Sequence, residues 1–369
     1  MRIAIVINTS WNIYNFRLGL VRSLLERGHE IFAVAPKDDY SDLLVKEGCK
    51  HIHVDIDSQG VNPWKDLKLT YRFFLIYKKI QPDVILQYTI KPNIYGSMAA
   101  WILKFPAINN VSGLGTVFLK KNLLSKVSLL LYKTSFKFPK IVFFQNEDDR
   151  ALFLDKDLVK KKITRLVPGS GIDLKSFPMI PYKRNSVFTF LVVSRIIKDK
   201  GILEYINAIK ILREKKQINV RFQLLGPKDP EHKRGIPLKE IDEWIENGLV
   251  EYLGTTDDVK SFIQKADCVV LPSYREGAPR TLLEAASLGR PIITSNVPGC
   301  RDVVKDGFNG LLCEVKNDAD LADKMQRMYS MTENELIRMS ENGRKKIEDS
   351  YDERIVINLY LQAIRDVVH

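Results

Sequence analysis

Cysteine is scarce in this sequence and never closely paired. Cys49, Cys268, Cys300 and Cys313 are spread over 369 positions. With no C-x-x-C, zinc ribbons and thiol redox motifs are excluded, and reduced thiols are the plain reading. No apolar run reaches the about 18 residues that a membrane-spanning helix needs. The opening Met1-Arg-Ile-Ala-Ile-Val-Ile run stops at Asn8 without a cleavage pattern behind it, so it reads as a buried first strand and not as a leader. Low-complexity tracts and short-period repeats are missing too. His51 and His53 fall on one strand face, but no third ligand is near them in sequence. A half-exposed edge strand is therefore favoured over a metal pair. Asp55-x-Asp57, Asp155-x-Asp157 and Asp318-x-Asp320 have the spacing of metal-holding D-x-D pairs, yet none sits in a credible site. No metal is expected.

What is present is globular. Hydrophobic residues make up 45% and charged residues 28%, and the length suits two domains. The net charge of +12 is uneven: residues 1–180 hold 27 Lys+Arg against 16 Asp+Glu, the remainder 30 against 29. No nucleic-acid motif accompanies the basic half, so an anionic membrane surface or a phosphate-bearing acceptor fits better. The stretch 118–144 alternates Leu and Phe with Lys. It reads either as a core helix with a solvated Lys face or as an amphipathic helix at a membrane interface.

Periodicity gives an α/β chain. Strands are expected over 3–7, 30–35, 49–54, 84–87 and 141–144, then 188–193, 220–225, 250–254 and 268–271. Helices alternate with them, notably over 63–80 and 280–288. Polar loops at strand ends supply candidates for binding. Asn8 to Arg17 is polar and aromatic. Lys91-Pro-Asn93 precedes a helix expected from 94. Gly113 and Gly115 permit close backbone approach but do not make a dinucleotide fingerprint, since position 118 is Phe.

The most informative stretch is Leu271-Pro-Ser-Tyr-Arg-Glu276-Gly-Ala-Pro-Arg-Thr-Leu-Leu-Glu284-Ala-Ala-Ser-Leu-Gly-Arg-Pro291. A buried strand leads into a turn, and Pro279 is placed at the first position of the helix that follows. Such a helix aims free N–H groups and partial positive charge at whatever lies beyond the strand end. Gly277 and Ala278 are small enough to let an anion reach the backbone. Glu276 and Glu284 cannot hold phosphate, but carboxylates accept hydrogen bonds from sugar hydroxyls. Together these features describe a nucleoside diphosphate sugar. In Ser194-Arg195-Ile-Ile-Lys198-Asp-Lys200-Gly201, at another strand end, Arg195 and Lys200 read alone as part of a solvated basic turn and, joined to Glu276 and Glu284, as cations suited to a departing diphosphate.

Glu276-Gly-Ala-Pro-Arg-Thr-Leu-Leu-Glu284-Ala resembles the E-x7-E motif of the retaining family-4 glycosyltransferases. Arg195 and Lys200 resemble the family's R-x4-K pair, and Leu166 to Asp173 and Thr294 to Leu312 are similar to the flanking segments. The match spans nearly the whole chain and is densest from Arg195 to Gly310. The segments Tyr88–Ala100 and Ile108–Phe118 resemble a subgroup that builds bacterial lipid-linked glycans, including transferases of N-acetylgalactosamine. The family's usual first-loop Gly-Gly is Thr9-Ser10-Trp11 here. Ser112-Gly113 stands where many members carry a His, so no catalytic His is carried over.

The resemblance implies a GT-B fold, two Rossmann-like domains facing across a cleft: an acceptor domain 1–167, a linker 168–186, a donor domain 187–350 and a last helix 351–369 crossing back. It implies retaining transfer of a hexose or N-acetylhexosamine from a nucleotide sugar, expected to be UDP-linked, with no metal required. The acceptor would be a glycan on a polyprenyl diphosphate at the inner face of the cytoplasmic membrane. Arg195 and Lys200 would hold the diphosphate, Glu276 the donor sugar and Glu284 the ribose, with the Gly277 and Ala278 amides completing the anion site. Lys91, Arg17 and Gly113 are acceptor candidates. No cofactor beyond the donor is expected. A sugar-nucleotide epimerase of the same fold and a non-catalytic, membrane-recruited nucleotide-sugar binder remain as alternatives.

Overall fold

A computed structural model describes residues 1–57, 60, 62–114, 123–214 and 219–368. The chain divides into two compact units. One comprises Met1–Gly171 with Glu353–His369, the other Ile172–Asp352.

The first unit is built on seven parallel strands: β1 (Arg2–Val6), β2 (Glu30–Ala35), β3 (Lys50–His53), β4 (Val84–Tyr88), β5 (Ala107–Val111), β6 (Ile141–Phe144) and β7 (Thr164–Leu166). Their order is β3-β2-β1-β4-β5-β6-β7. β4, β5 and β6 are buried along their whole length, as strands in a parallel sheet covered on both faces should be, with Gln87, Asn109 and Asn110 buried among the apolar residues. The helix Glu353–Val368 belongs to this unit and packs Val356, Tyr360 and Ile364 into its core. His51 and His53 do lie on an edge strand. His51 meets Ser10 and His53 meets Asp55, at 3.0 and 2.9 Å.

The second unit carries six parallel strands: β8 (Phe188–Val193), β9 (Val220–Leu225), β10 (Glu251–Tyr252), β11 (Cys268–Leu271), β12 (Ile292–Ser295) and β13 (Leu311–Cys313). Their order is β10-β9-β8-β11-β12-β13. The chain runs outward from β8 in one direction through β9 and β10, then restarts beside β8 with β11. That reversal is a topological switch point, where an open parallel sheet leaves room for a ligand beyond its strand ends.

Three local expectations change. The linker 168–186 is divided between the units, because Ile172, Tyr182 and their neighbours pack into the second unit's core. Pro279 sits just outside its helix, which begins at Arg280, with extended ψ of 111°. The helix expected from 94 is entered through a π-helical turn, Pro92–Gly96, before Ser97–Leu103. Gly115 and positions 118–122 of the Lys-rich stretch lie outside the described residues.

Candidate functional site

The switch point of the second sheet gathers the charged loops. β8 ends at Val193 and is followed by Arg195 and the short 3-10 turn Lys198–Lys200. β11 ends at Leu271 and is followed by Ser273 to Ala278 and the helix Arg280–Ser287. β8 and β11 are hydrogen-bonded neighbours, so residues 76 positions apart meet. Lys200 Nζ lies 2.5 Å from Glu276 Oε1, and Ser273 Oγ donates to the same oxygen at 2.7 Å. Both charged side chains are mostly covered, 23% and 13% exposed.

Backbone geometry makes this contact possible. Gly201 has φ +71°, and a Cβ there would fall 2.0 Å from the Pro272 carbonyl oxygen. Only glycine lets the 198–201 turn close against the loop after β11. Gly299, at φ +81°, does the same on the other side, where a Cβ would meet the carbonyls of Glu276 and Gly277 at 2.6 and 2.4 Å. The Tyr274 amide donates to Asp199 O, Arg234 Nε to Asp199 Oδ1 at 2.8 Å, and Tyr274 OH to Glu204 at 2.7 Å. Thr281 Oγ1 donates to Val193 O and pins the start of the helix to the end of β8.

Glu284 lies one helical repeat beyond Arg280 and accepts from its Nε at 3.0 Å. Burial raises its pKa above the ordinary carboxylate value, and the Arg280 guanidinium opposes that rise. Gly277 is buried and Ala278 half-buried, both just ahead of the helix opening. Arg195 turns toward the β9 side. Its guanidinium is 3.5 Å from Asp229, and half of the side chain is exposed. Lys200 and Arg195 thus leave one strand end in two directions, one toward Glu276 and the other toward the loop after β9.

The first unit treats its candidates differently. Lys91 is buried and donates to Asp66 at 2.5 Å, while Tyr95 OH donates to the other oxygen of that carboxylate at 2.9 Å. Arg17 is also buried. It donates to Asn12 and lies 4.0 Å over the Tyr88 ring, against a cavity of about 20 Å³, room for a single water. Both cations are satisfied within their own unit. Gly113 takes φ +117°, a glycine conformation. Ser10 is buried and bonds Pro36 O and His51, and Thr9 caps the helix Ser10–Glu26. Among the described residues no three His, Cys, Asp or Glu side chains are placed to share a cation.

The family description "Glycosyl transferases group 1" matches residues 180–346, and "Glycosyl transferase 4-like" matches residues 2–146. A Campylobacter jejuni protein named N,N'-diacetylbacillosaminyl-diphospho-undecaprenol alpha-1,3-N-acetylgalactosaminyltransferase is 30% identical over 387 residues, covering 100% of this chain and 99% of its own. The chain belongs to the group 1 glycosyltransferases. An Escherichia coli relative of this transferase, named UDP-Gal:alpha-D-GlcNAc-diphosphoundecaprenol alpha-1,3-galactosyltransferase, is 27% identical across 86% of this chain and 83% of its own. The fold is that of the GT-B glycosyltransferases. It is similar to Anabaena HepE, crystallised with UDP and glucose, at a TM-score of 0.81 with 17% identity, covering 99% of this chain and 100% of that one.

Sequence reasoning about the transferase missed the residues that hold the site together. Arg234 and Glu204 lie in no motif, and Asp199, Ser273 and Tyr274 lie inside the motif stretches without a role assigned to them. Their only sequence signal is nearness to a strand end, and tertiary contacts alone separate them from ordinary surface polars. Gly201 was within reach, because a glycine ending a basic turn after a strand marks a close approach.

Proposed function

We propose that this glycosyltransferase moves a hexose or N-acetylhexosamine from a UDP-sugar to a glycan carried on a polyprenyl diphosphate, with retention at the anomeric carbon. The observation that carries the reading is the meeting of Lys200 with Glu276 at the switch point, beside a helix opening. A cation and a carboxylate suited to sugar hydroxyls meet there, ahead of a helix whose positive N-terminal end favours a diphosphate. The names of the C. jejuni and E. coli relatives support a diphospho-undecaprenol acceptor, and the E. coli name and the HepE complex support a uridine donor.

In this reading Lys200 exchanges Glu276 for the donor diphosphate, and Arg195 joins it. Glu276 turns to the hydroxyls of the donor sugar and Glu284 to the ribose. The bond from the anomeric carbon to the diphosphate oxygen breaks, and its electron pair stays on UDP. The acceptor oxygen bonds to the same face of that carbon, and its proton passes to the departing diphosphate. Two fixed cations stabilise the negative charge that gathers on the leaving group. No metal is assigned a role, and the acceptor's membrane anchor puts the work at the cytoplasmic face of a bilayer.

The test is release of UDP from a panel of UDP-sugars, with and without polyprenyl-diphosphate sugars solubilised in detergent, with NMR on the product linkage. Acceptor-dependent release and an axial product linkage from an axially linked donor are expected. Sugar-nucleotide isomerisation without acceptor would assign an epimerase instead. Donor binding with no turnover on any acceptor would assign a binder.

A further inference from the structure

The first unit has an apolar surface that the donor site does not use. On the helix Pro63–Ile80 the buried positions Leu69, Phe73, Tyr77 and Ile80 form the inward stripe. A second stripe points out: Trp64 is 78% exposed, Leu67 62% and Tyr71 61%, with Leu75 further along. These positions recur every three or four residues, so they share one face. Trp101 and Ile102, more than half exposed, extend the apolar area, and Phe138 stacks on Trp101 at 4.6 Å. Leu67, Tyr71 and Ile102 line a groove of about 860 Å³. Folding gives no reason for a helix to present Trp, Leu and Tyr to water, and contiguous patches of this kind mark interaction surfaces.

The charges around the patch are mainly positive, with Asp57 and Asp55 pairing Lys65 and Arg72. Lys65, Lys68, Arg72, Lys78 and Lys79 are exposed on the same helix, whose one acid, Asp66, is buried against Lys91. Lys104 and Lys137 are exposed beside Trp101 and Phe138. From Val84 to Asn146 the sequence contains no Asp or Glu at all. A second copy of the chain would set this positive collar against itself. An anionic bilayer satisfies both features, because Trp and Tyr favour the headgroup boundary, Leu and Ile the acyl region, and lysine stems can lie along apolar surface with the ammonium at the phosphates.

We propose that the exposed face of the helix Pro63–Ile80, together with Trp101 and Ile102, docks the protein on an anionic phospholipid surface. Of the segment 118–144, the described helix Leu123–Ser135 adds exposed Leu130. The docking face shares with the proposed function only the membrane-borne acceptor, and vesicles without acceptor test it separately.

Flotation of the full chain with phosphatidylcholine vesicles, with and without phosphatidylglycerol, is the experiment. Binding to the anionic vesicles is expected, with a blue shift of tryptophan emission that Trp64→Phe reduces and Trp64→Phe with Trp101→Phe abolishes. The triple variant Trp64→Ser, Leu67→Ser, Tyr71→Ser should bind about tenfold or more weakly, and Lys68→Glu with Lys79→Glu should lose the preference for anionic lipid. Both should keep wild-type turnover on detergent-solubilised acceptor. Wild-type protein that stays with the soluble fraction at low salt, or a triple variant that floats like wild type, overturns the proposal. So does a wild-type dimer that the triple variant converts to monomer without any vesicle binding, which would make the face a self-interface.

Discussion

The two units place basic residues at comparable points of comparable sheets and use them differently. In the second, Lys200 follows β8 and meets Glu276 from the loop after β11, in a contact partly open to solvent. In the first, Lys91 follows β4 and is closed off by Asp66 and Tyr95, with both charged side chains only 11% exposed. An ion pair at a switch point can be a site waiting for a ligand or a piece of the fold. The difference lies in what surrounds it. Lys200 and Glu276 sit on a glycine-bounded turn ahead of a helix N-terminus, whereas Lys91 is packed inside a helix–helix contact.

That contrast is open to direct attack. The largest effect is expected at Asp66→Ala, which strands the Lys91 ammonium in a buried position at a cost of about 3–5 kcal/mol. Denaturant unfolding should register the loss, and turnover per folded molecule should hold. Lys200→Ala is expected to do the reverse. Turnover should fall about 10²–10³-fold, equivalent to about 3–4 kcal/mol of lost charge stabilisation in the transition state, with the unfolding midpoint little changed. If Lys91→Ala abolished transfer in a fully folded protein, the assignment of that pair to the fold would be wrong.

Next in size is Gly201→Ala. Its positive φ and the nearby Pro272 carbonyl set a cost of about 1–3 kcal/mol. Because the same turn carries Lys200, kcat should drop along with stability, a coupling that Asp66→Ala lacks. The smallest effect is expected at Glu284. Its raised pKa means that its contribution to stability is present below the unfolded-state value and is lost as pH rises toward the folded-state value. Under the proposed function donor binding should move the other way, since the ionised carboxylate is the form that would accept the ribose hydroxyls. A titration of donor affinity should show an acid limb above the ordinary Glu range. Glu284→Gln should remove that limb and weaken binding about tenfold. A limb that persists in the variant would assign it to another group.

Much of the architecture was legible because parallel strands buried on both faces announce themselves. Cys268–Leu271 is a continuous apolar run, Phe188–Val193 is broken only by Thr189, Val220–Leu225 alternates with Arg221 and Gln223 before Leu224–Leu225, and Pro63–Ile80 opens with the Asn62 cap and a first-turn proline. The 168–186 segment was less legible. Scattered prolines and missing periodicity look like a linker, yet Tyr182 finds Asp267 at 3.1 Å and is buried there. Irregular backbone can pack as tightly as a helix, and nothing in its local composition says so. The π-helical entry after β4 escaped for a similar reason, since Pro92 and Asn93 read equally well as a cap.

The sequence by itself determined where strands end and which loops carry charge, because burial and helix initiation are local properties of residue type. Through motif resemblance it also singled out Lys200 and Glu276, which do meet, and Arg195 and Glu284, whose contacts are with Asp229 and Arg280. Tertiary structure alone decided which cations stay addressable. Whether a lysine faces a ligand or a buried aspartate depends on residues 25 or 76 positions away, and an ammonium group's environment is set by what packs around it, which local composition does not encode.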